Sequence, residues 1–223
     1  YENCNLDVII NNEVYNIPAI KNSTILGEKN INEIKIYNNT AYLASSFGII
    51  ELDLINLEIK NTFKIDSLHN NVKDVVIFFD NLVASSQEGL FTAPKTGLNL
   101  SDHNSWNKVY NFNFSTMVVK NDKIYIQMSS LNGDSLFIYS KNNITKINSD
   151  FEEIQNIVYT GNKIYLLDKY NIYRIDSLSA SLYWSNTNKI RDLIITTDVF
   201  FGSNKDGLIT VINGVKDTIC PNS

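Results

Sequence analysis

The chain has 223 residues, 43% of them hydrophobic, with a formal net charge of −5 and a pI near 5.0. That length and apolar content suit one large all-β domain with a buried core, and scattered Lys and Arg without a basic stripe argue against nucleic acid as a partner. No apolar run approaches the roughly 18 residues that a membrane-spanning helix needs, and with only 3 Pro and 9 Gly the composition is neither collagen-like nor disordered. Tyr and Phe together number 23 and Asn 33; the aromatics favour strands and the asparagines favour turns.

In chain order, Asn5 to Ile10 and Glu13 to Ile17 read as two strands joined by a turn. They lack the strand pair that opens every later unit, so residues 1–20 are expected to be the outer half of a blade. From Ile31 onward the chain repeats. Units start at Ile31, Val72, Phe114, Ile154 and Ile190, separated by 41, 42, 40 and 36 residues. Each opens with an apolar strand, such as Ile31-Ile34-Ile36 or Val72-Val75-Ile77, carrying a polar residue at the third position: Glu33, Asp74, Thr116, Asn156 and Asp192. Tight turns follow at Asn38-Asn39, Asp80-Asn81, Asn121-Asp122 and Gly161-Asn162, residue types that tolerate the positive φ of two-residue hairpins. The second strand carries Tyr42, Val83, Tyr125, Tyr165 or Phe201 at one register, and Gly48, Gly89, Leu131, Asn171 or Gly207 opens the third. A more polar fourth strand closes each unit.

A period near 40 with four short strands per unit marks the β-propeller, whose blades cannot bury their faces alone. The fold class is therefore all-β, a β-propeller of four-stranded antiparallel blades in one domain over 1–223. Blades fall at about 31–65, 72–112, 114–148, 154–184 and 190–218. About five and a half blades are covered of an expected seven-bladed ring, which implies a longer native protein.

Function has to come from departures from the repeat. The third unit has a two-residue insertion around Asn132-Gly133-Asp134, and the second has a long connection from Pro94 to Trp106. Long loops on rigid scaffolds concentrate binding residues, so Lys95, Asp102, His103 and Trp106 are the candidate binding residues. Trp106 has two readings, a stacking platform for a sugar or a pin holding the loop on the blade edge. Trp184 reads as core. His69 and His103, the only histidines, lie in polar loops, where solvation is the ordinary role. No GxSxG, HExxH, Walker or calcium-loop motif occurs, and Glu152-Glu153 would point to opposite sides of a strand. No catalytic residue, cofactor or metal is expected. Cys4 and Cys220 stand near opposite ends, which a ring brings together; a disulfide and two buried thiols both remain open. Five Asn-x-Ser/Thr sequons, at Asn22, Asn38, Asn99, Asn113 and Asn143, are no more than this composition gives by chance.

Several stretches go beyond a generic propeller. YENCNLDVI at 1–9, followed by Val14-Tyr15-Asn16-Ile17-Pro18, resembles the second blade of PorZ-type proteins of the Bacteroidota type IX secretion system. INEI, YLASSFGIIELDL and EIKNTFKI within 31–65 continue that resemblance, GLFTAPKTGLNLSDHNSW at 89–106 is similar to the next blade and its loop, and Ile219 to Ser223 resembles the exit from the first propeller. The resemblance is specific over 1–106 and only repeat-like over 114–218. It implies a non-enzymatic, exported, cell-surface protein associated with the outer membrane. It also implies partners in the attachment complex, the sortase PorU with PorV and PorQ, and anionic lipopolysaccharide as ligand. Cys4 departs from the small polar residue expected there, and the resemblance transfers no ligand residues. The alternative is the periplasmic sensor propeller of a hybrid two-component regulator, which has similar blades.

Overall fold

The computed structural model describes residues 6–24, 28–140, 143–147, 149–185, 189–190, 192–195, 199–204, 207–212 and 215–221, those from 192 on by backbone alone. The chain divides into two compact units, Tyr1–Ser115 and Thr116–Ser223.

In the first unit, β1 (Leu6–Ile10) and β2 (Glu13–Ile17) form an antiparallel hairpin. Its turn residues Asn11 and Asn12 both have positive φ, 51° and 68°. Such paired values match the twist of a two-residue hairpin, and Asn bears them at low cost. A four-stranded meander follows: β3 (Ile31–Tyr37), β4 (Thr40–Ser45), β5 (Gly48–Asp53) and β6 (Glu58–Phe63), in the order β3-β4-β5-β6. The next sheet repeats it with β7 (Val72–Phe78), β8 (Asn81–Ser86), β9 (Gly89–Pro94) and β10 (Asn107–Tyr110).

Side chains alternate across each strand, so a sheet with apolar residues on both alternations has two faces to cover. One face of the first sheet presents Tyr42, Ala44, Ile49 and Phe63 to Val72, Val75, Leu82, Ala84 and Phe91 of the second. The other face presents Ala41, Leu43, Ile50 and Leu52 to Ile17 and Ile20, with Leu6 and Val8 of the hairpin at the margin.

The second unit holds three sheets of the same order. They are β11 (Phe114–Lys120) to β14 (Asn143–Lys146), with β12 (Lys123–Met128) and β13 (Ser135–Ser140) between; β15 (Asn156–Thr160), β16 (Lys163–Leu167), β17 (Asn171–Asp176) and β18 (Ser179–Ser185); and β19 (Asp192–Ile195), β20 (Val199–Asn204), β21 (Gly207–Ile212) and β22 (Val215–Pro221). Tyr125, Leu136 and Ile138 of the first of these pack with Ile157, Ile164 and Leu166 of the next. The recurrent second-strand residues Tyr42, Val83, Tyr125 and Tyr165 are all buried.

Four details differ from the sequence reading. Ile34 and Ile36 were expected to pack, yet both are exposed, Ile36 at 64%. On that face β3 contributes only Ile31 to the cluster shared with the hairpin. The second-sheet turn is Phe79-Asp80, one residue earlier than expected, because Phe78 pairs with Asn81 and draws it into β8. Phe79 therefore takes φ 52°, an uncommon conformation for a bulky residue. Trp184 is only half-buried, packed against the cluster of Tyr165 and Ile172. Finally, Leu131 does not open a third strand. Gly133 takes that place, with φ 111° and its α-carbon facing the Phe151 carbonyl.

The same contact explains Gly48 and Gly89. Both have a φ that L side chains rarely adopt, +133° and +151°, and a β-carbon on either would drive into a fourth-strand carbonyl, that of Phe63 or Tyr110. Gly48→Ala and Gly89→Ala should each lose at least about 1–3 kcal/mol of stability through backbone strain alone, with the collision added. Gly97→Ala, where φ is +89° but no atom lies within 4 Å, should lose less. Denaturant unfolding of the three variants measures the ranking.

Candidate functional site

Strand direction sorts the loops of the first unit into two groups. At one end lie the turns Asn38-Asn39 and Phe79-Asp80 and the start of the 95–106 connection. At the other lie the turn at Ser46-Phe47, the turn at Gln87-Glu88 and the 64–71 connection between sheets.

Lys95 leaves β9 beside the first group, its backbone N–H donating to the Asp80 carbonyl at 2.8 Å. Asp102 caps the single 3-10 turn His103–Ser105, accepting from Asn104 N–H at 3.0 Å and from its side-chain amide at 2.9 Å. His103 stands half-buried beside it, Nδ1 3.8 Å from Asp102 Oδ1. Trp106 is different: it is 7% exposed, packs within the core shared by the two sheets, and donates its indole N–H to the Leu100 carbonyl at 3.1 Å. Of its two expected roles, the geometry gives it the pin, and a ring so placed offers no open face for stacking. Ser101 Oγ adds a bond to the Thr62 carbonyl at 3.1 Å, fastening the loop to β6. The connection is thus a fixed cover over the sheet edge that displays Lys95 and His103. Cys4 lies outside the described residues, and the side chain of Cys220 in β22 does too.

At the opposite strand ends, a cleft of about 240 Å³ is lined by Ser46, Leu68, His69, Asn70, Asn71, Ser86, Gln87 and Glu88. Its floor is built by side chains bonding backbone. Asp66 Oδ1 accepts from Leu68 N–H at 2.9 Å and His69 N–H at 3.2 Å, and Asp66 N–H donates to Asn70 Oδ1 at 3.2 Å. Asn71 Oδ1 accepts from Asn32 Nδ2 at 3.0 Å, and Ser86 Oγ accepts from Glu88 N–H at 3.1 Å. Sequence reasoning treated His69 as an ordinary loop residue and passed over its neighbours. The signal available was the parallel pair of Ser-Ser segments, Ser45-Ser46 and Ser85-Ser86, each just before an obligatory glycine.

Two buried carboxylates have scaffold roles. Asp134 in the third-unit insertion accepts from Gln127 Nε2 at 2.8 Å and Ile154 N–H at 2.7 Å. Asp74 in β7 has Lys35 Nζ 3.5 Å away. Among the described residues, no group of three or more His, Cys, Asp or Glu is placed to hold a metal ion, and no helix is long and apolar enough to cross a membrane.

Meanders of four antiparallel strands, repeated and packed face to face, define a β-propeller domain. Residues 1–107 match the family described as "TSS9, PorZ, N-terminal beta-propeller domain". Over that stretch the sequence is similar to the PorZ propeller family. The chain resembles the structure of PorZ from Porphyromonas gingivalis, described as an essential bacterial surface component of the type IX secretion system, with a TM-score of 0.79 and 19% identity over 99% of this chain and 30% of that one. It also resembles the extracellular domain of a putative hybrid two-component system from B. thetaiotaomicron (TM-score 0.66, 12% identity, 86% of this chain and 30% of that one). A third likeness is to regucalcin, a calcium-binding protein from Agrobacterium tumefaciens (TM-score 0.60, 12% identity, 85% and 72%). No curated protein matches the sequence. The chain thus spans about 30% of the length of PorZ.

Replacing Trp106 with Ala should cost about 3–5 kcal/mol and free the connection to proteases. Trp106→Phe, which loses chiefly the bond to Leu100, should cost about 1 kcal/mol. Limited proteolysis with chemical unfolding measures both.

Two capping carboxylates give an acid signature. The N–H groups of Asn56 and Ile55 hold Asp53 below its ordinary 3.8, and those of Leu68 and His69 hold Asp66 below the same value. A depressed folded pKa stabilises above the unfolded value and is lost as pH falls through the folded one. The melting temperature should therefore hold above about pH 4 and drop below it, and Asp66→Asn should flatten part of that drop.

Proposed function

We propose that this propeller is a non-enzymatic module of a cell-surface type IX secretion component associated with the outer membrane. It scaffolds the attachment complex around the sortase PorU with PorV and PorQ, binds anionic lipopolysaccharide, or does both. The observation that carries this reading is the match of residues 1–107 to the PorZ propeller family, together with a likeness to PorZ over nearly the whole chain. The architecture supports a binding role, since its polar groups stand on loops at the strand ends of a rigid stack. On this reading Lys95 and His103 are contact residues for an acidic partner, with Asp102 fixing the turn that presents His103. Cys4 and Cys220 form a disulfide if the completed ring brings them together.

A second reading, the ligand-sensing propeller of a hybrid two-component regulator, is favoured by the likeness to a two-component extracellular domain. The test is affinity purification of the full-length protein from its own outer-membrane fraction, with a binding assay against purified anionic lipopolysaccharide. The proposal expects the sortase, the polysaccharide or both to be retained. Retention of neither overturns it, and a transmembrane helix followed by a kinase in the parent sequence establishes the second reading instead.

A further inference from the structure

The cleft at Ser46, His69 and Glu88 has a chemistry distinct from the 95–106 connection. Its volume of about 240 Å³ is below the roughly 300–1,000 Å³ of sites for drug-sized ligands, so it fits one small polar unit. The scaffold consumes the carbonyl oxygens of Asn70 and Asn71, which accept from Asp66 N–H and Asn32 Nδ2. Their amide nitrogens remain as donors. The exposed Gln87 amide supplies a further donor and acceptor, the Glu88 carboxylate a strong acceptor, and His69 an imidazole. Leu68, 81% exposed, adds an apolar surface at the rim. No Lys or Arg lines the cleft, and the Asp66 carboxylate sits 4.0 Å from His69 Nδ1.

We propose that this cleft binds a neutral, hydroxyl-rich sugar unit. Vicinal hydroxyls both donate and accept, as this mixture of amides, carboxylate and imidazole requires. A carboxylate acceptor is the strongest partner that a neutral hydroxyl finds in a protein, and the C–H face of a pyranose suits Leu68. A phosphate or uronate brings its charge against the exposed Glu88 carboxylate, and no Lys or Arg lines the cleft to offset it, so charge disfavours it. The floor is already fastened by the bonds of Asp66, Asn70 and Ser86, so binding orders little new backbone. The inference goes beyond the secretion reading and does not depend on it: a sensor propeller would use the same cleft.

Saturation-transfer NMR on the full-length protein tests it, with methyl glycosides of glucose, galactose, mannose and N-acetylglucosamine as probes. Methyl galacturonide and a capped Gly-Ala-Gly peptide serve as competitors. At least one neutral glycoside should receive saturation with an affinity on the order of 1 mM, as expected of a few hydrogen bonds in an open cleft. Glu88→Ala should weaken it roughly tenfold, Gln87→Ala should weaken it less, and Glu58→Ala, exposed at the far end of β6, should leave it unchanged. Both cleft substitutions are on an exposed turn, and circular dichroism verifies their folding. Saturation of no neutral glycoside, an unchanged signal in both cleft variants, or preference for the uronide or the peptide each overturns the assignment. Sortase retention is read separately, so either proposal can fail while the other stands.

Discussion

A sheet of four strands, each 4–7 residues long, is too small to stand alone, and everything else in this protein follows from how its two faces are covered. A sheet with apolar side chains on both sides can close each of them only against a neighbouring element. Tyr42, Ala44 and Ile49 meet Val75, Leu82 and Ala84 across one such junction. Tyr125, Leu136 and Ile138 meet Ile157 and Ile164 across another. Stability is therefore a property of neighbours, whereas the ends of the strands are free of packing duty. That separation leaves turns and connections available for polar chemistry.

The two ends of the first unit use this freedom differently. The 95–106 connection spends its large apolar residues on holding still: Trp106 and Leu100 enter the core, and Asp102 caps its own short turn. The opposite end spends backbone bonds on holding still and keeps its side chains for display. Asp66 organises a turn that would otherwise be a mobile eight-residue linker, and the amides of Asn70 and Asn71 are each tied at one atom only. Rigid support with uncommitted polar groups above it is the arrangement on which selective recognition depends.

The fold was legible because its signals are periodic. The aromatic of the second strand and the Asn and Gly of the turns recur at fixed offsets, and each has a local physical cause. What escaped was set by distance or by a single register step. Ile34 and Ile36 carry the pattern of buried residues, yet of the β3 isoleucines only Ile31 joins the cluster on that face. The Phe79 turn follows from the pairing of Phe78 with Asn81, which a motif search centred on Asp-Asn overlooks. Trp106 had two readings, and burial alone separates them. The cleft was harder still, because its walls come from segments about 20 residues apart in the chain, each unremarkable alone.

Gly48, Gly89 and Gly133 share one task, which is to bring no side chain against a neighbouring carbonyl: Phe63 and Tyr110 of the fourth strands for the first two, and Phe151, beyond β14, for the third. In the third unit the loop before that glycine is longer, running from Ser129 to Gly133, yet the glycine still reaches the Phe151 carbonyl. The sheet thus constrains where the loop must end and leaves its length and sequence unconstrained. Such a scaffold can vary its loops at that end of each sheet while the strands stay in register. Specificity for a new ligand can then change without any cost to folding, by substitutions and insertions that never enter the packed faces.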